Sequence, residues 1–452
     1  MKKTKKRYLL KIAVTVIIFV IGGSLYLHKD IGRKPYYVTS TECKSCHENH
    51  YESWRATLHP HMFKPIESPN DILGDFESSD PVLTFKKEEV EYVVGSKWEQ
   101  VYVRMIDGEY YPLPAKWYIK KQSWVPYKVE TWKETPMSKK CNGCHTTGFD
   151  PSTHEFSEFG IGCEACHGPG SLHIQNELET SSIFCIGCHD KEKNRNKDII
   201  TSVNSSVCGQ CHNRGVNTLG NSVTEGEFNF PVNYIPGTRI EDSFIPLSAK
   251  DDPKQTYWWG NGLSKNRHQE YADWANSNHS QALRLLLENH SSHPEKGELS
   301  DACLECHSTD YKLAPEGSKP TVDSAKHGVT CIGCHEPHGF SELSTSSKKI
   351  SAQCKDCHID KKPGVKTKKE PPHYPCPSEQ VTCADCHMPY IVKTGGFFSL
   401  RSHAFEIVPP VSTQQTKIPN SCQNETCHSD KSLEWAMAAF QKFYPEIKSN
   451  GE

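Results

Sequence analysis

The chain has 452 residues, of which 35% are hydrophobic, and its 52 basic and 55 acidic side chains give a formal net charge of −3. This length allows two to four domains, but the apolar fraction is small for a conventional hydrophobic core of that size. The balanced charge provides no basic field, so nucleic acid is excluded as an expected partner.

The chain begins with a basic cluster and an apolar stretch. The basic residues are Lys2, Lys3, Lys5, Lys6 and Arg7. They precede Tyr8–Leu27, a stretch of 20 residues whose only charged side chain is Lys11. About 20 apolar residues can span a bilayer, and flanking positive charge keeps that end in the cytoplasm. Because no small-residue cleavage site is evident, we predict that residues 1–30 form an uncleaved single-pass anchor in a bacterial or archaeal cell membrane rather than a cleaved signal peptide.

One cysteine pattern recurs along the rest of the chain. Nine segments have the form Cys-x-x-Cys-His, and a tenth has four residues between its cysteines. The ten sites use 20 of the 21 cysteines and leave only Cys376. In chain order the sites are Cys43, Cys46 and His47; Cys141, Cys144 and His145; Cys163, Cys166 and His167; Cys185, Cys188 and His189; Cys208, Cys211 and His212; Cys303, Cys306 and His307; Cys331, Cys334 and His335; Cys354, Cys357 and His358; Cys383, Cys386 and His387; and Cys422, Cys427 and His428.

This pattern is typical of covalent haem attachment. The two thiols add to the haem vinyl groups as thioethers, and the following histidine becomes the proximal ligand of the iron. For a single Cys-x-x-Cys pair, the alternatives are a zinc knuckle, a redox dithiol or a disulfide. A zinc site needs no histidine directly after the second cysteine, yet histidine stands there in all ten cases. The motifs therefore predict ten covalently attached haems c, which bacteria form outside the cytosol and which would supply much of the core.

Residues 81–132 contain no cysteine and differ in character from the rest. Val101–Ile106 and Glu109–Tyr111 flank Asp107-Gly108, which is a strong hairpin signal. The segment is also rich in tyrosine and tryptophan, which are common in strands. We predict a small antiparallel β insert in a multihaem scaffold that is otherwise mainly α-helical and irregular. Packing against the haem array is its expected role, with a docking surface as the alternative.

The second half of the chain repeats the first. Tyr51-x-x-Trp54-x4-His59 matches Tyr271-x-x-Trp274-x4-His279. The motifs align in order: Cys141 with Cys303, Cys163 with Cys331, Cys185 with Cys354, and Cys208 with Cys383. This alignment predicts one five-haem half at residues 31–212, a connector at 213–262 and a second five-haem half at 263–452.

The run Gly160–His173, which contains Cys163-Glu164-Ala165-Cys166-His167-Gly168-Pro169, resembles the cytochrome c-554 family of multihaem cytochromes. Cys383–Pro389, followed by Ser402-His403, is similar to the related nitrite reductase and hydroxylamine oxidoreductase group. The resemblance covers most of residues 40–430 and implies haems stacked in pairs within a loop-rich helical scaffold. The family contains both electron carriers and enzymes. Its ammonia-forming nitrite reductases use lysine as the proximal ligand at the active haem, and no Cys-x-x-Cys-Lys occurs here.

The second axial ligand of each iron decides between electron transfer and catalysis, because an iron with two histidines has no open position. Ten of the 24 histidines are proximal, which leaves 14, and His28 at the membrane edge is set aside. The predicted distal ligands are His59 and His279, which the repeat places equivalently; His173 and His403, from the family-like runs; and His50 and His338, each three residues after a proximal histidine.

The sequence favours an electron-transfer protein over a catalyst. We expect ten mostly bis-histidine haems that accept electrons from a quinol-oxidising complex or from other cytochromes, on the periplasmic or extracellular side. Reduction of a nitrogen or sulfur oxyanion at one open haem is the alternative, and a subunit of a homo-oligomer or larger cytochrome assembly also fits. Cys376 is expected to be a buried unpaired thiol, with a redox or intermolecular disulfide role as its alternative.

Overall fold

The structure, a computed structural model of the chain, describes residues 34–175, 203–218, 230–292, 299–339, 347–358, 381–424 and 427–443. The predicted anchor Tyr8–Leu27, the motif Cys185–His189 and Cys376 lie outside the described residues. Residues 34–37 and 169–175 belong to one compact unit, and the other described residues belong to a second, larger unit. Among the residues described, no helix has the length and apolar character that a membrane span requires.

Half of the helices in the described chain contain part of a cysteine motif, and most of these are a single turn long. In the motifs at Cys43, Cys208 and Cys331, the amide of the histidine donates to the carbonyl of the first cysteine at 2.9 Å, which closes a single helical turn. The helices of the described chain are Ser40–Lys44, Glu48–Arg55, Met137–Lys140, Asn142–His145, Cys163–His167, Ser206–Gly209, Glu270–Ala275, Ala282–Ser292, Leu304–His307, Thr309–Leu313, Ser347–His358, Cys383–His387, Pro410–Thr416 and Leu433–Phe443.

Short 3₁₀ turns connect these helices. They lie at His59–His61, Pro69–Asp71, Lys87–Glu89, Trp132–Glu134, Ile240–Asp242, Ala249–Asp251, Asp301–Cys303 and Cys331–Gly333. Because so much of the chain is in single turns and loops, the scaffold has few long elements of its own to form a core.

The predicted β insert is confirmed as a five-stranded antiparallel sheet. In order across the sheet its strands are β1 (Phe63–Pro65), β2 (Tyr92–Val94), β3 (Glu99–Ile106), β4 (Glu109–Tyr118) and β5 (Ser123–Pro126). Asp107 and Gly108 both have positive φ, 52° and 83°, as a two-residue turn between β3 and β4 requires. One face buries an aromatic cluster that includes Tyr102, Trp117 and Trp124. Full burial of one large apolar side chain contributes about 1.5 to 3 kcal/mol, so this cluster is a substantial local core.

Three two-stranded hairpins lie elsewhere in the larger unit. They pair β6 (Thr146–Thr147) with β7 (Glu158–Phe159), β8 (Gly215–Asn217) with β9 (Phe244–Pro246), and β10 (Tyr390–Thr394) with β11 (Phe397–Arg401). The hairpin of β10 and β11 follows the motif at Cys383, and Arg401 on it donates to the carbonyls of Ala384 and Met388 at 2.7 and 3.0 Å. These hydrogen bonds therefore hold the motif at Cys383 against the hairpin.

Two parts of the larger unit fold in the same way, as the sequence repeat predicts. Trp54 and its counterpart Trp274 each donate an indole N–H to the carbonyl two residues before a motif cysteine, at 2.9 and 2.8 Å. The carbonyls of His59 and His279 accept the amide of that same residue, at 2.9 Å in both places. The two Tyr-x-x-Trp-x4-His segments are therefore structurally equivalent.

The hydrogen bonds give the repeat a register that differs from the predicted one. Ser40, three residues before the first motif, accepts from the amide of Cys163 at 2.9 Å. Ser205, three residues before Cys208, accepts from the amide of Cys331 at 3.1 Å. The motif at Cys208 thus occupies the place of the motif at Cys43, and the predicted alignment of Cys208 with Cys383 is wrong.

An insertion explains the error. The amide of Tyr51 donates to the carbonyl of His47 at 2.9 Å, and the amide of Tyr271 donates to the carbonyl of His212 at 3.0 Å. These are equivalent bonds, but four residues separate the first pair and 59 separate the second. We call the motifs at Cys43, Cys141 and Cys163 the first repeat, and those at Cys208, Cys303 and Cys331 the second repeat. The domain boundaries at 212 and 263 remain a prediction.

Candidate haem-binding sites

Histidine rings that are distant in sequence lie face to face in the larger unit. The Nε2 atoms of His167 and His338 are 3.5 Å apart, and their ring planes differ by 8°. A bond between a metal ion and an imidazole nitrogen is about 2.0 to 2.1 Å in zinc sites, so one ion between two such rings needs about 4 Å. The observed separation of 3.5 Å is shorter than this, so an iron would fit between the two nitrogens after the rings move apart slightly.

Two further pairs are equivalent in the repeat. The ring centroids of His59 and His212 are 6.5 Å apart, and those of His279 and His358 are 6.0 Å apart, with nearly perpendicular planes in both. Burial and the neighbouring His212 lower the pKa of His59 to about 4. A ring that stays neutral keeps a lone pair for a metal. The structure thus brings both of these predicted distal histidines to a motif histidine.

His403 lies beside the motif histidine His335, with ring centroids 6.1 Å apart. Its Nδ1 faces the carbonyl of Arg401 at 3.2 Å, which leaves Nε2 for the partner. Buried Asp273 fixes the local backbone by accepting the amide of His403 at 3.1 Å and the hydroxyl of Ser402 at 3.0 Å. Burial and the neighbouring His403 lower the pKa of His335 to about 4.

His268 is a candidate ligand that the sequence analysis missed. Its Nδ1 faces the carbonyl of Cys211 at 3.2 Å, and its ring interacts electrostatically with that of the motif histidine His145. Burial and the nearby positive charges, Arg267 first among them, lower its pKa to about 3. The sequence repeat gives no signal for it, because the equivalent position, three residues before Tyr51, is Glu48.

Thiols of different motifs also contact each other. In the first repeat Cys43 lies against Cys163, and in the second repeat Cys208 lies against Cys331. In each pair, the contact and burial raise the pKa of the thiol of the first motif well above its ordinary value. The first and third motifs of a repeat are therefore neighbours in both repeats.

The thiol contacts continue from one repeat to the next. Cys144 lies against Cys211, and Cys306 lies against Cys357. Each of these contacts joins the second motif of one repeat to the first motif of the next. Cys354 in turn interacts with Cys383. The motifs at Cys354 and Cys383 therefore take the first and third positions of a third repeat.

Every histidine pair described above joins consecutive repeats. The pairs are His145 with His268, His167 with His338, and His212 with His59 between the first and second repeats, and His335 with His403 and His358 with His279 between the second and third. A metal ion in any pair would hold two repeats together.

The other candidate residues have different surroundings. His50 follows the first motif and its ring lies 4.9 Å from that of His338. His173 lies in helical residues 171–175 of the smaller unit. The ring of His428 is 4.7 Å from that of Trp435, and His387 ends the helix Cys383–His387. Nothing in these contacts assigns a second ligand to the motif histidines involved.

Two histidines that were not predicted as ligands have other partners. Nε2 of His61 lies 3.0 Å from the carbonyl of Arg55, and Nδ1 of His154 lies 2.8 Å from the Glu109 carboxylate. Both rings are outside the paired set and serve as natural controls for the pairs.

The Nδ1 atom of a motif histidine, which lies on the side of the ring away from Nε2, faces two different kinds of group. Nδ1 of His307 faces the carbonyl of Ala282 at 3.1 Å, whereas Nδ1 of His212 faces the carboxylate of Glu270 at 3.6 Å. Burial alone would raise the pKa of Glu270, but His212 and other nearby histidines lower it to about 2. Such partners of a ligand histidine fix the ring and tune the metal.

The arrangement fits haem c in its donor set. In the described motifs at Cys43, Cys208 and Cys331, two thiols and one histidine lie within one turn. Four motif histidines lie ring to ring with a second imidazole, and a fifth, His145, interacts electrostatically with His268. An iron with two imidazoles has no open coordination position and can exchange only electrons. The residues at these five sites could therefore hold electron-transfer haems.

Comparisons with known proteins find one matching family model and similar solved structures. The family model described as cytochrome c554 and c-prime matches residues 42–82, 116–168 and 265–336. The chain is similar to the crystal structure of the outer cell wall cytochrome OcwA, with 29% identity and a TM-score of 0.73, over 91% of this chain and 87% of that chain. No curated protein sequence matches significantly.

A second solved structure shows a likeness of fold alone. The undecahaem cytochrome from the S-layer of Carboxydothermus ferrireducens has 19% identity and a TM-score of 0.50. The likeness covers 91% of this chain and 60% of that chain. The predicted fold class, a mainly α-helical and irregular multihaem scaffold with a small antiparallel β insert, is confirmed by the likeness to OcwA and by the elements themselves.

Proposed function

The chain is a multihaem c-type cytochrome, and on that premise we propose that it binds ten haems c covalently and conducts electrons along them outside the cytoplasm. The observation that carries the proposal is the set of histidine pairs, above all the 3.5 Å separation of the Nε2 atoms of His167 and His338. Paired imidazoles favour electron transfer because they leave no site for a substrate.

In this proposal the two cysteines of each motif attach one haem, and the motif histidine binds its iron. Histidines of the neighbouring repeat provide the second ligands: His268 for the haem at Cys141, His338 for Cys163, His59 for Cys208, His403 for Cys331 and His279 for Cys354. His50 and His173 remain predicted ligands of other haems. Because ligands come from the neighbouring repeat, haem binding and folding of the repeats should be coupled.

The contacts between thiols support electron exchange within three groups of haems. Each thiol is bonded to the edge of its porphyrin in the proposed protein, and electron exchange between cofactors falls off steeply with their separation. Contacts run from Cys43 to Cys163, from Cys144 to Cys211, from Cys208 to Cys331, from Cys306 to Cys357 and from Cys354 to Cys383. The haems at Cys208 and Cys354 would therefore connect successive repeats.

The similar proteins support a location at the cell surface. One is described as an outer cell wall cytochrome and the other as a cytochrome of an S-layer. We also propose that Tyr8–Leu27 anchors this protein in the membrane. Fractionation with an alkaline wash tests the anchor: the cytochrome should stay with the membranes and keep its N-terminal residues. Release into the wash, or a mature N-terminus beyond Leu27, would contradict the anchor and leave the haem proposal intact.

Reduction of a nitrogen or sulfur oxyanion remains the second candidate function. It requires one haem with a single histidine, and the resemblance to a family that includes nitrite and hydroxylamine enzymes is the observation that favours it. Turnover of nitrite, hydroxylamine or tetrathionate by the purified protein, faster than by free haem, would support this function over simple conduction.

Intact mass spectrometry tests the haem number. The full chain, produced with a haem-attachment system, should exceed its polypeptide mass by ten haems. Replacing both cysteines of the atypical site, Cys422→Ala and Cys427→Ala, should remove one haem and leave nine. A wild-type mass with fewer than ten haems would contradict the proposed number. Peptide mapping would then identify the motif that carries no haem.

A further inference from the structure

Glu270 is a partly buried residue, with a side chain that is 21% exposed, and its carboxylate lies beside a motif histidine. Its Oε2 lies 3.6 Å from Nδ1 of His212 and is closed off from solvent. Among the described residues this oxygen has no hydrogen-bond partner at shorter range. A buried carboxylate oxygen without a close donor is costly, so its position next to the ring calls for a functional reason.

Other candidate ligands have a different group at the same ring position. Nδ1 of His268, His307 and His403 faces a backbone carbonyl, at 3.2, 3.1 and 3.2 Å. A carbonyl presents a dipole, whereas Glu270 presents a full negative charge to His212. The group that faces Nδ1 therefore distinguishes His212 from the three other histidines, although His268 and His403 also interact electrostatically with Glu270 at longer range.

The charge should act on the iron through its ligand. A carboxylate facing Nδ1–H of a metal-bound histidine makes the ring a stronger donor. A stronger donor and a nearby negative charge both stabilise ferric over ferrous iron, and such outer contacts are among the main determinants of haem potential. Arg214 also interacts electrostatically with Glu270 and offsets part of the field, but the carboxylate is in direct contact with the ligand ring.

We propose that Glu270 lowers the reduction potential of the haem attached at Cys208 and Cys211. The inference deepens the proposed function and rests on the presence of that haem. Cys211 lies against Cys144 of the first repeat, and Cys208 lies against Cys331 of the second repeat. With a lowered potential, this haem is the energetically unfavourable step for electrons that pass between the two repeats. Glu270 would therefore control the rate of electron transfer between them.

Redox titration of the Glu270→Gln variant, as the full haem-loaded chain, tests the proposal. EPR and film voltammetry serve as the readouts. Glutamine keeps the shape and removes the charge. The reduction potential of one resolved haem component should rise by at least about 59 mV, which is a tenfold change in the equilibrium constant for one-electron reduction. The other components should move much less, and all ten haems should be retained by mass.

Glu336→Gln is the matched control. The Glu336 carboxylate lies 3.9 Å from Nδ1 of His338, but it is 66% exposed, so solvent screens its charge. This variant should leave every component near its wild-type potential. Unchanged potentials in Glu270→Gln, with ten haems present, would overturn the role of Glu270.

Glu270→Asp decides the question if the glutamine variant does not bind its haems. Aspartate keeps the charge but withdraws it from His212, so the same component should shift in the same direction by a smaller amount. No shift in a fully loaded aspartate variant would overturn the proposal. If peptide mapping of the wild type finds no haem at Cys208 and Cys211, the proposed function fails at this site, a result that is distinct from a haem with an unchanged potential.

Discussion

The Nε2 atoms of His167 and His338 lie 3.5 Å apart, although 171 residues separate the two histidines in the sequence. His167 ends a motif of the first repeat and His338 follows a motif of the second. The contact therefore links the repeats at the point where an iron would bind. This contact is the main geometric support for the proposal that haem ligands are shared between repeats.

His338→Ala should open the sixth position of the haem at Cys163. We expect about one iron in ten to become high-spin in the EPR spectrum of the oxidised protein, and added imidazole should restore the low-spin state. The ring of His50 lies 4.9 Å from that of His338 and could replace it, so His50→Ala combined with His338→Ala should give the full effect.

His61→Ala is the control for this experiment, because His61 bonds to a backbone carbonyl at 3.0 Å and belongs to no pair. It should leave the spin states unchanged. If the double variant of His50 and His338 also stays fully low-spin, His338 is not the ligand of this iron.

His268→Ala should expose the iron of the haem at Cys141 in the same way. The expected result is a high-spin fraction of about one iron in ten, together with binding of carbon monoxide by the reduced protein. His154→Ala removes a histidine that pairs with Glu109 at 2.8 Å and should bind no carbon monoxide. Equal behaviour of the two variants would remove His268 from the ligand set.

Asp273→Ala should loosen His403 without touching the ring. Asp273 accepts hydrogen bonds from Ser264, Ser402 and the amide of His403, and each donor left buried and unpaired costs about 1 to 3 kcal/mol. We therefore expect the haem at Cys331 to show a mixture of spin states that shifts toward high spin on warming, measured by variable-temperature absorption.

The repeat supplies a matched control for Asp273. Ser53 takes the equivalent position, two residues after Tyr51, and its hydroxyl bonds only to the carbonyl of Asn49 among the described residues, at 2.8 Å. Ser53→Ala should leave the spin equilibrium as in the wild type. A temperature-independent, fully low-spin Asp273→Ala protein would show that the backbone of His403 needs no such support.

The histidine pairing shows what the sequence could and could not predict. The cysteine spacing predicts the haem motifs, and this stays a prediction. The Tyr-x-x-Trp-x4-His repeat was enough to predict that His59 and His279 are equivalent. Their partners could not be predicted, because spacing carries no information on contacts between residues such as His167 and His338. His268 was missed because its counterpart in the first repeat is Glu48, so the repeat carries no matching histidine. The insertion before Tyr271 shifted the predicted repeat by one motif.

The β insert was predicted more completely than the sites. Asp107-Gly108 specifies a two-residue turn, and the flanking strands follow from local patterning, so the hairpin could be predicted without knowing any distant contact. Strands β1 and β5 lie beyond the strongest part of that pattern, and β1 joins the sheet through pairing with β2. The sheet began earlier in the chain than predicted for that reason.

Glu99 of this sheet should make stability depend on pH. Its side chain is 9% exposed and pairs with Lys116 at 2.9 Å and with Arg267. Burial alone would raise the pKa of Glu99, but Arg267 and Lys116 lower it below its ordinary value. A lowered folded pKa gives stability that is present above the unfolded value, about 4.3, and is lost as the pH falls through the folded value.

Glu99→Gln should lower the free energy of unfolding at pH 7 by about 3 to 5 kcal/mol, because it leaves two cationic groups without their buried partner. The gap between variant and wild type should narrow as the pH falls below about 4. Denaturant unfolding followed by circular dichroism measures both. Glu89→Gln removes an exposed pair with Arg104 and should cost only about 0 to 1 kcal/mol. A gap that is constant with pH would contradict an ionised Glu99.

The central claim is that every haem iron has two axial ligands and so no open coordination position. Low-temperature EPR of the oxidised full-length protein tests this claim most directly. The integrated spectrum counts irons by spin state against the haem number from mass spectrometry. Conduction predicts that all ten irons are low-spin, with no high-spin signal above trace level. About one high-spin iron for every ten haems would contradict this claim and would favour reduction of an oxyanion at one haem with an open coordination position.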